Sequence, residues 1–144
     1  MIINLAAAFA ATLTFAMIFF APRRLYVVCA VGGVVSWGVY QALAIPLGPI
    51  PATFAAAFAL TVYARLCGIL FKAPAIIFIV VGIFPLAPGA AIYNMAYALF
   101  AGDLSAASSY GLSALTTAGA IALGMLFGHT PRIAILHRRK KPVD

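Results

Sequence analysis

Length, composition and charge restrict this chain to a membrane. Its 144 residues are 66% hydrophobic and 8% charged, and its mean hydropathy is +1.15. These values exclude an ordinary soluble domain, in which about 25% of residues are charged. The only acidic residues, Asp103 and Asp144, offer no paired carboxylates for acid–base catalysis, and the chain has no phosphate loop or dinucleotide motif. We therefore expect neither an enzyme nor a cofactor.

Apolar segments of about 20 residues, the length that crosses a hydrocarbon core of about 30 Å, follow one another along the chain. They predict an all-α integral membrane protein with about five transmembrane helices in a single transmembrane domain over residues 1–144. We expect the first helix to be a retained span rather than a signal peptide, because its arginines follow the apolar run instead of preceding it. The predicted spans are 3–21, 25–45, 51–71, 74–101 and 110–128, with a basic cytoplasmic tail at 129–144.

All nine lysines and arginines fall on one side of this five-span topology, in the first loop, around the end of the third span and in the tail. The opposite loops, 46–50 and 102–109, contain no lysine or arginine. Basic residues that flank spans stay cytoplasmic, so we predict an outside N-terminus and an inside C-terminus. The same rule explains the basic run at 137–141, in which no aromatic residue is interleaved. We therefore expect contact with the lipid bilayer and no nucleic-acid binding.

Cysteine placement predicts no metal site. Cys29 and Cys67 are the only thiols, and neither lies in a CxxC motif or beside a histidine. We expect both side chains to be buried as small apolar groups.

Small residues recur at helical spacing in the spans. Gly32, Gly33 and Ser36 form such a face on the second span, and Gly124 and Gly128 form one on the fifth. Small faces let helix backbones approach closely in lipid, so we expect helix packing there.

Amphipathic side chains mark the outer end of the second span. Trp37, Tyr40 and Gln41 lie in that region. Rings of this kind ordinarily sit at the level of the lipid head groups, and we expect these three residues to be interfacial.

The fourth segment, 74–101, is interrupted by Phe84-Pro85-Leu86-Ala87-Pro88-Gly89. Pro85 and Pro88 cannot donate to the carbonyl four residues back, and Gly89 adds backbone freedom where a second half-helix begins. In hydrocarbon, such a break is tolerated only where protein or a water-filled cavity surrounds it. Broken helices near the midplane form the substrate sites of many secondary transporters. The pattern therefore favours solute transport, with a simple packing kink as the alternative.

The half-helix after the break is the candidate substrate site. Its first N–H groups, at 89–91, are expected to have no helical partner, and a helix N-terminus attracts anions. A carboxylate is the natural guest, and polar residues on the next turns and at the middle of the last span would contact the rest of a small solute. The predicted substrate-binding residues are Pro85, Pro88, Gly89, Ala90, Tyr93, Asn94 and Thr117.

No ionisable side chain except tyrosine is predicted in the membrane interior. Proton-coupled transporters usually rely on intramembrane Asp, Glu or His. We therefore expect either a passive facilitator or a partner that supplies the coupling charges.

Several motifs resemble the signature of the threonine/serine exporter family: Lys72-Ala73-Pro74-Ala75, and Ile83 to Gly89 followed by Tyr93. The segment Phe15-Ala16-Met17-Ile18-Phe19 with the following Pro22 resembles the first span of that family. The resemblance covers almost the whole chain and is most specific at Pro-Leu-x-Pro-Gly. It implies the small five-span subunit of the split, two-component form, in the bacterial inner membrane. It also implies a larger membrane subunit, with five further spans and a cytoplasmic region, as the partner.

The function expected from these features is export of small carboxylate-bearing metabolites, such as threonine and serine or dicarboxylates such as succinate. Two alternatives stay open. In the first alternative, the chain is a non-transporting scaffold or assembly subunit of a membrane complex. In the second, it is a homo-oligomeric channel.

Overall fold

The structure is a computed structural model that describes residues 2–129, and within this range every regular element is helical. Two short 3₁₀ turns, Arg23–Leu25 and Phe84–Leu86, precede α2 and follow α4. The predicted tail, 129–144, lies outside the described residues from position 130 onwards. The helices are α1 (Ile2–Ile18), α2 (Tyr26–Leu47), α3 (Pro49–Phe71), α4 (Ala75–Gly82), α5 (Gly89–Phe100) and α6 (Leu104–His129).

The connection between α2 and α3 is much shorter than the predicted loop 46–50. Helix α2 continues through Pro46 in its last turn, and Gly48 alone separates the two helices. Gly48 has φ +86°, a conformation that other residues rarely adopt. Pro49 then occupies the first turn of α3, where its missing N–H is not needed. The two helices therefore extend two residues beyond the predicted span limits at residues 45 and 51, which stay predictions.

The predicted loop 102–109 is largely helical, because α6 begins at Leu104. Gly102, with φ +77°, ends α5, and the Asp103 N–H donates to the Ala98 carbonyl at 3.0 Å, as in a Schellman motif. The Asp103 carboxylate accepts a hydrogen bond from the Ala106 N–H at 2.9 Å. Asp103 thus acts as the N-cap of α6, and the helix starts six residues earlier than predicted.

Three helices among the described residues are long and apolar enough to cross a membrane: Arg23–Leu47, Pro49–Phe71 and Leu104–His129. The pair Ala75–Leu86 and Gly89–Phe100 adds a fourth crossing if it is one bent span. Helix α1 is apolar but has 17 residues, which is about 26 Å of helix. The all-helical membrane architecture is confirmed, whereas the five spans and their orientation stay predictions.

Close packing in the body of the molecule depends on small residues, as predicted. A Cβ at Gly124 would lie 2.5 Å from the Phe54 carbonyl oxygen, and a Cβ at Gly128 would lie 2.6 Å from the Thr61 Cβ. Since both contacts advance together along the two chains, α3 and α6 run parallel. Cys29 and Cys67 are buried in the core between α2, α3 and α4, which confirms that expectation.

Arg65 joins the ends of α3 and α6. Its guanidinium donates to the carbonyl of His129 at 2.7 Å and to that of Gly128 at 3.3 Å. These carbonyls lie at the negative end of the α6 dipole, which a cation stabilises. The contact places Arg65 and the end of α6 at the same end of the molecule.

Candidate functional site

The fourth segment is broken at the predicted position. Helix α4 ends at Gly82, a 3₁₀ turn follows, and α5 begins at Gly89. The two parts are bent by 53°. Pro85 cannot donate to Val81, four residues back, and Pro88 cannot donate to Phe84. The Phe84 carbonyl instead accepts the Ala87 N–H at 3.2 Å. The residues 83–88 are called the break below.

The break leaves the Gly82 carbonyl without its helical partner, because the Leu86 N–H donates to Ile83 instead, at 2.9 Å. Ser36 on α2 compensates for this loss. Its buried hydroxyl lies 3.0 Å from the Gly82 carbonyl oxygen and 2.9 Å from that of Gly33, in its own helix. Ser36 belongs to the predicted small face, but its contact with the break is visible only in the structure.

Two further contacts anchor the break. The Phe84 ring stacks on Phe15 of α1 with a centroid distance of 3.7 Å and an interplanar angle of 11°. On the other side, Leu86 is buried with Ala56, Ala57 and Ile121 of α3 and α6. The break is therefore held by three neighbouring helices as well as by Ser36, which matches the requirement that irregular backbone in a membrane be surrounded by protein.

The start of α5 presents fewer free N–H groups than predicted. The Gly89 N–H donates to the Ala87 carbonyl at 2.8 Å, and the Ile92 N–H donates to Pro88 at 3.1 Å. The N–H groups of Ala90 and Ala91 have no acceptor among residues 2–129. The Gly89 N–H has no partner within the helix, as predicted, but it is not free for a solute, because the turn through Pro88 brings it onto Ala87.

A cavity of about 270 Å³ opens beside the break, between α2, α3, α5 and α6. It brings together four of the seven predicted substrate-binding residues: Pro85, Pro88, Ala90 and Thr117. Thr117 comes from α6, far from the break in sequence. The complete lining is Trp37, Tyr40, Thr53, Pro85, Leu86, Ala87, Pro88, Ala90, Ala91 and Thr117.

The other three predicted residues do not line this cavity. Gly89 is exposed, and a Cβ there would meet no atom within 4 Å. Tyr93 is 70% exposed, and Asn94 is half-buried. Tyr97, one turn further along α5, is 68% exposed. Tyr93 and Asn94 lie on the same helix face as Ala90 but one turn, about 5 Å, further along α5, beyond the residues that line the cavity.

Six lining residues were not among the predicted substrate-binding residues, and three of these carry polar side-chain groups: Trp37, Tyr40 and Thr53. Trp37 and Tyr40 are stacked, with ring centroids 5.2 Å apart. They line a cavity, a role that the expectation of an interfacial position did not include. The side-chain oxygen of Gln41, one residue further along α2, is buried without a hydrogen-bond donor among the described residues. The signal available in the sequence was the i, i+3 spacing of two amphipathic rings on one helix face.

Polar side chains around the cavity offer both donors and acceptors. The indole N–H of Trp37 and the hydroxyl of Tyr40 make no hydrogen bond within residues 2–129. The hydroxyls of Thr53 and Thr117 donate to carbonyls of their own helices, each at 2.8 Å, so their oxygens are left as acceptors. No group of three or more metal-ligating side chains occurs in the described part of the chain.

The sequence model of the family described as Threonine/Serine exporter, ThrE, matches residues 4–130. The chain belongs to this family. No curated protein and no solved structure matches it. Membership in the ThrE family indicates an exporter-type role in membrane transport for a multi-pass membrane protein, which agrees with the absence of enzymatic motifs in the sequence. In this ThrE-family chain, the cavity beside the break combines unpaired backbone donors with hydroxyl acceptors in an apolar setting. Such a combination suits a small solute with a carboxylate and further polar groups.

Proposed function

We propose that the cavity beside the break binds the carboxylate of a small metabolite during export. The observation that carries this proposal is that Ala90 and Ala91, whose N–H groups have no acceptor among residues 2–129, line the same cavity as Thr53 and Thr117. The two N–H groups begin α5, where the helix dipole favours negative charge. The threonine hydroxyls then accept hydrogen bonds from an ammonium or hydroxyl group of the solute.

The size of the cavity supports a small substrate. At about 270 Å³ it lies below the range of about 300–1,000 Å³ that is typical of sites for drug-sized ligands. Threonine, serine and a short dicarboxylate such as succinate all carry the required carboxylate. The family description, Threonine/Serine exporter, favours the two amino acids as the first substrates to test.

We assign the chain to the small subunit of a two-component exporter in the bacterial inner membrane, and the exposed surface of α5 supports a large membrane partner. Helix α5 packs chiefly against α6, and Ala98 is its one buried residue. The partner would be the larger subunit, with five further spans and a cytoplasmic region. Two such halves rocking against each other would give alternating access, and the partner would supply the coupling charges that this interior lacks.

The proposed topology has five spans, with the N-terminus outside and the C-terminus inside. The contact between Arg65 and the end of α6 supports it, because it gathers a basic side chain and the start of the basic tail at one end. Basic residues of that kind are retained on the cytoplasmic side.

The experiment that tests this function measures flux of radiolabelled threonine, serine and succinate in proteoliposomes, with this chain alone and with the larger subunit. Thr117→Val removes a lining hydroxyl at nearly constant volume. Thr116→Val is the matched control, because its neighbouring hydroxyl is exposed and donates to Leu112 in the same helix. We expect flux only with both subunits, reduced by Thr117→Val and unchanged by Thr116→Val. Equal flux in the two variants would refute the site. Flux with this chain alone would instead support a homo-oligomeric channel, and no flux under any condition would favour a scaffold.

A further inference from the structure

A second cavity, of about 300 Å³, lies on the other side of the break, between α1 and α2. Its α1 wall consists mainly of Ala7, Ala8 and Ala11. Trp37 and Pro85 are the two described residues that line both cavities. Trp37 and Pro85 therefore lie between the two cavities.

Pro85 and Trp37, the two residues that line both cavities, are held in place very differently. Pro85 lies in the 3₁₀ turn, whose neighbour Phe84 is stacked on Phe15 at 3.7 Å and whose neighbour Leu86 is buried. Trp37 is half-buried, and its indole N–H has no acceptor among residues 2–129. Its ring contact is the stack on Tyr40. The side chain that decides how far the solute cavity extends is therefore Trp37.

The alanines of α1 leave room on the far side of Trp37, and this room matters for the size of the solute. Alanine side chains leave open the space behind the indole ring, and the helix that carries them has no larger side chain to fill it at these positions. Truncating Trp37 would join the two cavities, whereas truncating most other lining residues would only widen one of them.

We propose that Trp37 sets the upper size limit of the solute that this exporter accepts. The proposal rests on the proposed function, because it assigns the specificity of the same cavity. With its indole ring in place, the cavity at Ala90 and Ala91 admits only small side chains on the carboxylate-bearing solute. Without the ring, longer or branched side chains extend towards α1. A pocket that excludes one methylene group discriminates between two solutes by about 10–200-fold. Removal of the ring should relax the discrimination between small and larger solutes by a factor in this range.

Two measurements test this inference, and the first needs no transport. Trp37 is the only tryptophan in the chain, so intrinsic fluorescence in proteoliposomes reports on this ring alone. We expect acrylamide in the aqueous phase to quench it more strongly than dibrominated phospholipid does. Stronger quenching by the brominated lipid would place the ring against lipid and overturn the proposal.

The second measurement compares flux of serine, threonine, leucine and phenylalanine through the complete exporter that contains the wild-type chain, Trp37→Ala or Trp37→Phe. We expect Trp37→Ala to raise the flux of leucine and phenylalanine relative to serine by about tenfold or more, and Trp37→Phe to stay near the wild-type ratio. Tyr110→Ala is the matched control, since it truncates an aromatic ring that lines neither cavity. Unchanged ratios in Trp37→Ala, while serine flux persists, would refute the size limit. Absence of serine flux in the wild type would instead refute the proposed function, and the quenching result would still decide the position of the ring.

Discussion

The Ser36 hydroxyl on α2 lies 3.0 Å from the carbonyl oxygen of Gly82, the last residue of α4. This contact joins positions 46 residues apart in sequence and supplies a donor to a carbonyl that the break has deprived of its helical partner. In an environment without water, the alternative is a buried carbonyl with no hydrogen bond.

Ser36→Ala should therefore destabilise the protein by about 1–3 kcal/mol, the usual effect of leaving a buried polar group unsatisfied. Thermal unfolding in detergent, followed by circular dichroism, measures this change. Ser108→Ala serves as the control, because that hydroxyl is exposed and bonds only within α6, to Ser105. Equal melting temperatures for the two variants would show that Ser36 does not support the break.

Ala90→Pro should abolish solute binding and leave the fold intact. Proline is tolerated in the first turn of a helix, so the substitution removes one of the two free N–H groups and little else. Binding of labelled threonine to the purified complex measures the effect, and circular dichroism checks helix content.

Gly89→Ala is the matched control for Ala90→Pro. Its N–H already donates to Ala87, and a Cβ there meets open space. We expect wild-type binding and a slight gain in stability, about 0.5–1 kcal/mol, because alanine loses less conformational entropy than glycine when the helix forms. Loss of binding in Gly89→Ala would mean that a solute approaches the backbone at Gly89 rather than at Ala90.

Gly124→Ala should weaken the packing of α6 on α3. The added Cβ would lie 2.5 Å from the Phe54 carbonyl oxygen and 2.9 Å from the Ala57 Cβ, so the helices must separate. Overpacking of this kind typically destabilises by about 1–3 kcal/mol. Gly119→Ala on the same helix meets nothing within 4 Å, and it should keep or slightly raise the wild-type melting temperature. A smaller loss in Gly124→Ala than in Gly119→Ala would contradict the packing described here.

Tyr93→Ala and Tyr97→Ala should impair association with the larger subunit. Both rings are about 70% exposed on α5 and lie outside the lining of the solute cavity, so we assign them to a subunit contact. Co-purification of the two subunits from membranes measures this effect. Leu70→Ala, at an equally exposed position on α3 (75%), is the control. Normal co-purification of both tyrosine variants would remove α5 from the subunit contact.

Local chemistry explains what could be predicted from the sequence alone. The membrane location follows from hydropathy, and the break follows from Pro85 and Pro88, which lack an N–H wherever they are placed. The small faces at Gly124 and Gly128 follow from their i, i+4 spacing. The start of α6 at Leu104 was predictable too, because an aspartate after a glycine is a common N-cap signal, and Asp103 was interpreted only as part of a loop.

Tertiary structure decided which groups share the cavity. Trp37, Thr53 and Thr117 come from three helices, and hydropathy does not specify how each helix is rotated, since apolar residues surround all of them. A rotation of about 100° per residue separates Thr117 in the cavity from the exposed Thr116. The Gly89 N–H is not available to a solute for a similar reason, because the turn through Pro88 directs it at the Ala87 carbonyl. The sequence by itself thus determined that a break exists and where it lies. The packing of distant helices around it determined which side chains and N–H groups a solute would meet, because those positions depend on contacts that no local pattern encodes.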